Sequence, residues 1–145
     1  MHNHAKILAF IRQQKLAVIA TASQTARPES ALIAYTEDDD LCLYFQTGID
    51  TRKAANLKIN PRVALTIGFS LENLVTVQYE GTATRLMEPA DLEACKKRFV
   101  VKDSPTTAVY FNRPEVIFFK ISPTWISYSD YAGMLPEVIE LKTFK

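Results

Sequence analysis

Apolar residues recur along this chain first at helical and then at strand spacing. Ile7, Leu8, Phe10 and Ile11 form one broad face of a predicted first helix, with Asn3 as its expected N-cap. Leu16 to Ala22 (LAVIATA) is an almost unbroken apolar run and predicts a strand buried on both faces. The turn residues SQTARP follow, then a second predicted strand from Glu29 to Thr36. The EDDD run at 37–40 reads as the turn of a hairpin into Leu41 to Thr47; a calcium loop would need a ligand spacing and a glycine that are missing. A short helix comes next, with Asp50 as expected N-cap. It is ended by Pro61, which disfavours a helical conformation at Asn60.

Strict alternation returns at Arg62 to Phe69, where Val63, Leu65, Ile67 and Phe69 are expected on one face. Leu74 to Leu86 predicts a long strand with a bulge or close backbone approach at Gly81. Pro89 opens a helix whose Leu92, Cys95 and Phe99 fall on one stripe, which puts Lys96 to Arg98 on its solvated side. Segment 102–115 reads as a loop or a short helix. Val116 to Ser122 and Thr124 to Ser129 predict two strands, or one strand bent at Pro123, and Glu137 to Lys142 predicts a terminal strand. Closely spaced strands with hairpin turns and a few helices indicate a mainly β fold, a small antiparallel barrel with helical decoration, formed as a single domain over 1–145.

Composition narrows the partners. Net charge is only +1 over 145 residues, so no long-range field favours nucleic acid or a membrane, and anion recognition must be local. No apolar run approaches the roughly 20 residues of a membrane span, and the N-terminus lacks a secretory layout, so a cytoplasmic location is expected. Four glycines, at 48, 68, 81 and 133, leave no clustered-glycine loop for a nucleotide. Cys42 and Cys95 have no spacing suited to zinc or redox chemistry and read as buried thiols. The two histidines, His2 and His4, sit at the N-terminus, so no Ser–His–Asp or Cys–His set is expected.

Candidate chemistry is concentrated in TGIDTRK, Thr47 to Lys53. A helix start exposes unpaired N–H groups and a positive partial charge, and the Thr47 and Thr51 hydroxyls with the Arg52 and Lys53 cations would complete a phosphate cradle. The same pattern also describes an N-capped surface helix with solvated basic residues. Against that reading, a cation in a first turn opposes the helix dipole at about 0.3–1 kcal/mol.

Four segments in order, LAVIATA, RPESALIAY, LYFQTGIDTRKAANLKINPRVAL and VQYEGTATRL, resemble the pyridoxamine 5'-phosphate oxidase-like, FMN-binding split-barrel family. The resemblance runs from about Leu16 to Leu86, with Thr47, Thr51, Arg52, Lys53, Asn60, Pro61, Arg62 and Val63 in the family's order and spacing. It implies an antiparallel split β-barrel that is homodimeric, with FMN at the subunit interface. It also implies that Arg52 and Lys53 hold the FMN phosphate, helped by Thr47 and Thr51. Ser30, Ala31, Leu32, Ile33 and Ala34 would run along the flavin ring. Gln46 replaces a commonly aromatic residue, and Thr76 stands where the oxidases carry a flavin-contacting glutamine.

The departures matter equally. The oxidases end in a Trp, Arg and His arrangement that grips the substrate phosphate. Here ISPTWISYSDYAGM keeps Trp125, a candidate flavin contact, but no Arg or His follows it, which argues against pyridoxamine phosphate as substrate. Trp125, Tyr128 and Tyr131 suit a flavin pocket wall or core and interface packing alike. Haem-handling relatives need an axial ligand, commonly His, and this chain has only the two N-terminal ones. The expectation is an FMN-dependent oxidoreductase acting on a small molecule, with NAD(P)H as a candidate reductant and no assigned catalytic residue or metal. The alternatives are a non-catalytic flavin carrier, sensor or stress-related module, a deazaflavin-dependent reductase, and a barrel that has lost its cofactor.

Overall fold

The computed structural model describes residues 2–102 and 110–144. Among the described residues the strands β1 (Leu16–Ala22), β2 (Pro28–Ala34), β3 (Thr36–Glu37), β4 (Leu43–Gly48), β5 (Arg62–Ile67), β6 (Val75–Arg85), β7 (Val116–Asp130) and β8 (Glu137–Leu141) form one antiparallel sheet in the order β2-β1-β5-β6-β7-β4-β3, with β8 also paired to β7. The helix α1 (His2–Gln13) turns Ile7, Leu8, Phe10 and Ile11 into the core. Asn3 lies inside that helix rather than capping it, because the helix already includes His2.

The strands β1 (Leu16–Ala22) and β2 (Pro28–Ala34) pair along their full length. Burial in β1 alternates, so the strand expected to be covered on both faces is covered on one; Val18 and Ala20 lie half-buried on the outer face. The apolar run reflects small residues on that second face, not a second buried layer. The EDDD turn links β3 (Thr36–Glu37) to β4 (Leu43–Gly48). Asp38 organises it: Oδ1 accepts from the amides of Asp40 and Cys42, both at 3.0 Å, and Leu41 takes a φ of 65°.

The short helix α2 (Arg52–Ile59) is capped by Thr51, not Asp50; Thr51 is extended and its hydroxyl accepts from the Ala54 amide. Asn60 is extended at the other end, as the following proline requires. In β5 (Arg62–Ile67) Val63, Leu65 and Ile67 face inward. Phe69 does not continue that face, because Gly68 at φ 95° turns the chain out of the strand and leaves Phe69 exposed.

The long strand β6 (Val75–Arg85) shifts register between Glu80 and Gly81. Its partner β7 (Val116–Asp130) is a single bent strand, with Pro123 opposite Gly81. On its other edge β7 pairs β4 through Ile121 and β8 (Glu137–Leu141) from Ile126 onward. Pro123 falls in the gap between those two partners, where a missing N–H breaks no ladder. The helix α3 (Pro89–Val101) packs Cys95 and Phe99 against Cys42, Tyr44 and Phe118 in a small second cluster. Residues 103–109 of the segment that reads as loop or helix lie outside the described residues.

The main core fills the concave side of the sheet with Ile7, Ile11, Ile19, Leu43, Phe45, Ile67, Val77, Ile121 and Ile126, among others. Two buried tyrosines tie the ends of elements to it. Tyr35 Oη donates to Ile11 O at 2.6 Å, and Tyr79 Oη lies 2.8 Å from Leu41 O and 3.2 Å from Ile121 O. Burial raises both phenols far above the ordinary tyrosine value, so they remain neutral structural donors.

Candidate functional site: the cleft at the barrel seam

Among the described residues the sheet begins at β2, which pairs with β1 alone, and curls until β2 faces β4 without an antiparallel ladder between them. A cleft of about 300 Å³ occupies this seam, walled by Leu32, Ile33 and Ala34 on one side and Gln46, Thr47 and Gly48 on the other. Lys53, Tyr110 and Val116 complete it. An edge strand presents alternate N–H and C=O groups that no neighbour satisfies, so the β2 wall carries backbone hydrogen-bonding capacity as well as apolar side chains. The arrangement follows from chain order: β4 ends at Gly48, one tight turn follows, and α2 starts at once, placing its N-terminus at the end of the seam.

Thr51 organises that turn. Its amide donates to Gly48 O at 3.2 Å, its hydroxyl donates to the same oxygen at 2.9 Å, and it accepts from the Ala54 amide at 3.3 Å. The Thr47 hydroxyl is 3.0 Å from Thr51 Oγ1 and therefore supplies the proton of that bond. With Ala54 capped, the amides of Arg52 and Lys53 are the helix-start donors that have no intrahelical acceptor. The Lys53 side chain makes no hydrogen bond or ion pair among the described residues, and burial lowers its pKa from the ordinary value of 10.5. A partly desolvated ammonium without a counter-ion, beside helix amides, is a donor set that fits a phosphate.

Arg52 is placed differently. Its Nη1 pairs with Glu29 Oε2 at 2.9 Å, and the residue is not part of the cleft wall. Glu29 also accepts from Asn56 Nδ2 at 2.9 Å, and the same amide donates to Thr21 Oγ1 at 2.9 Å. The residues proposed from sequence thus fall into three groups. Leu32, Ile33, Ala34, Gln46, Thr47 and Lys53 meet in one cleft, with Thr51 directly beneath; Ser30, Ala31 and Arg52 lie next to it on the same elements.

Thr76 and Trp125 stand elsewhere within the chain. Thr76 Oγ1 donates to Ile67 O at 3.3 Å near the β5–β6 turn, and Trp125 lines a shallow groove with Val18, Ala20, Ala64 and Glu80 on the outer sheet face. Sequence reading missed Glu29 and Asn56; the i, i+4 spacing of Arg52 and Asn56 was the available signal. It also missed Tyr110, which sits in a segment with no periodicity. Among the described residues no group of three His, Cys, Asp or Glu could hold a metal, and no helix is long and apolar enough to cross a membrane.

An antiparallel sheet rolled into an incompletely closed barrel, with an anion-suited cleft at the opening, defines a split-barrel fold. The family profile described as pyridoxamine 5'-phosphate oxidase matches residues 4–130, and the chain belongs to that family. General Stress Protein 26 from Bacillus anthracis str. Sterne superposes with a TM-score of 0.74 at 26% identity, over 97% of this chain and all of that one (100%). HutZ, the heme storage protein from Vibrio cholerae, gives 0.69 at 15% identity over 82% and 88% of the two chains. A heme binding protein from Mycobacterium smegmatis gives 0.80 at 12% identity over 97% of this chain and 57% of its own. The last two likenesses are of fold alone. No protein of curated function matches the sequence.

Proposed function

We propose that this protein binds FMN in the seam cleft and acts as a flavin-dependent oxidoreductase on a small molecule. The observation that carries the reading is Lys53, a cation without an ion-pair partner among the described residues, at the mouth of a cleft formed by an unpaired strand edge. The Lys53 ammonium and the α2 amides would hold the phosphate. The Thr47 hydroxyl turns from Thr51 to donate to it. The β2 edge offers N–H and C=O groups to the heteroatoms of a planar ring, and the exposed Leu32 side chain is available to cover its face. A bound flavin supplies hydride exchange, while the protein binds, orients and shields it.

Trp125 and Thr76 enter this reading through a second copy of the chain. Both belong to the outer face of the sheet, with half-buried Val18 and Ala20 and exposed Leu32. A partner packed on that face would bring its own outer-face residues toward the cleft. NADH or NADPH is the proposed electron donor.

Denaturing the purified protein and weighing the released cofactor tests the reading. Stoichiometric FMN is expected, and Lys53→Ala should lower FMN affinity about tenfold or more by removing a charge-assisted phosphate contact. A deazaflavin mass would redirect the cofactor assignment, and a haem Soret band would replace it. Among the described residues the cleft wall contains no His, Cys or Met and has Tyr110 as a side chain of a type that ligates haem iron, so it is the phosphate-suited donor set around Lys53 that favours flavin over the haem named for two fold neighbours. Reduction of bound FMN by NADH or NADPH in stopped flow distinguishes the oxidoreductase from a passive carrier.

A further inference from the structure

We infer that Glu29 sets the anion affinity of the seam cleft by claiming Arg52, so that a side chain outside the cleft wall decides how many cations serve the ligand. The inference takes its ligand, a phosphate monoester, from the reading above. Two cations begin α2, but they face different surroundings. Lys53 lines the cleft; Arg52 is ion-paired to Glu29 at 2.9 Å.

Glu29 is not a loose surface carboxylate that happens to lie near an arginine. Its side chain is only 13% exposed, whereas that of Arg52 is 73% exposed. Its second oxygen is fixed by Asn56, a buried residue that also holds the buried Thr21 hydroxyl. Arg52 and Asn56 are four residues apart and share one helix face. Glu29 therefore stays in place while the long, exposed Arg52 can exchange partners. A phosphate arriving at the helix start competes with Glu29 for that guanidinium, and the carboxylate repels it at short range as well. Glu29 is thus a positioning and affinity-tuning residue and not a ligand contact.

The test compares the unmodified chain with Glu29→Gln, Arg52→Ala and the double variant. FMN binding is followed by quenching of flavin fluorescence, and inorganic pyrophosphate binding by thermal shift. Glutamine keeps the shape and the acceptor for Asn56, so melting temperatures without ligand report whether the strand–helix link survives. Glu29→Gln should tighten both ligands about three- to tenfold, the scale of one released charge-assisted contact, and the gain should disappear when Arg52 is also alanine. Unchanged or weaker binding in Glu29→Gln overturns the inference, as does a gain that persists without Arg52. If pyrophosphate follows the expected pattern and FMN does not bind, the flavin reading fails and the role of Glu29 stands. If neither ligand binds any variant, both fail.

Discussion

Lys53 is held between two demands. Burial penalises its ammonium, and the α2 N-terminus adds a positive partial charge, so the free site stores an electrostatic cost that an anion relieves. The linkage has a definite sign. Because the free-protein pKa lies below 10.5, the charge is lost earlier on alkaline titration than in an ordinary lysine. A bound phosphate favours the charged form, so affinity falls as pH rises through that lowered value. FMN titrations between pH 5 and 11 should show this alkaline fall, and a second fall below about pH 6 as the phosphate gains a proton. Lys53→Arg should weaken the alkaline limb, because a guanidinium stays charged; an alkaline fall of the same size in both proteins would remove Lys53 from the site. At this scale the sequence was informative about residue types but not about their directions. Thr47, Thr51 and Lys53 were visible as one motif, yet the division of labour between Arg52 and Lys53 depends on Glu29. That residue is 23 positions away and comes close only through strand pairing.

Elements were legible where a local rule fixes them. Pro61 ended α2 with Asn60 extended, Pro89 opened α3, and the break at Gly81 is a real register shift. The N-cap moved by one residue because Asp50 and Thr51 both suit the role, and only the tight turn from Gly48 selects Thr51. Whether 116–130 was one strand or two depended on a tertiary fact, the alignment of Pro123 with Gly81. Their closeness gives a test. A Cβ at Gly81 would lie 2.6 Å from Ser122 O and 2.7 Å from Ile121 Cγ2, too near for either to remain in place. Gly81→Ala should lower stability by about 1–3 kcal/mol in urea unfolding. Gly133→Ala, where the nearest atom is 3.5 Å away, is the neutral control. Equal midpoints for the two variants would show that the bend tolerates a side chain.

At the scale of the whole molecule, the concave side of the sheet is filled by the main core and the convex side is left partly apolar and uncovered. The main core is continuous, whereas the outer face of β1, β2 and β5 carries Val18, Ala20, Ala64 and Leu32, which is 61% exposed. A second copy covering that face is the proposed assembly, and sedimentation should give a two-chain particle. Ala64→Glu, an exposed outer-face position, should yield a folded monomer with weakened FMN binding; a monomer in the unmodified chain would leave Trp125 and Thr76 without a flavin to meet. Alternation in β5 already set Ala64 on the face opposite Val63 and Leu65, whereas in β1 a small residue such as Ala20 reads equally well as core.

The exchange of partners along β7 has a further consequence. Its first half is clamped between β6 and β4, the strand that walls the cleft, while its second half is clamped between β6 and β8. Among the described residues the hydrogen-bond ladder connects β8 to β4 through β7 alone. Loss of β8 from the edge of β7 would therefore leave both the β6–β7 ladder and the β4–β7 ladder at the seam in place, so a change at one end of the sheet need not be felt at the other.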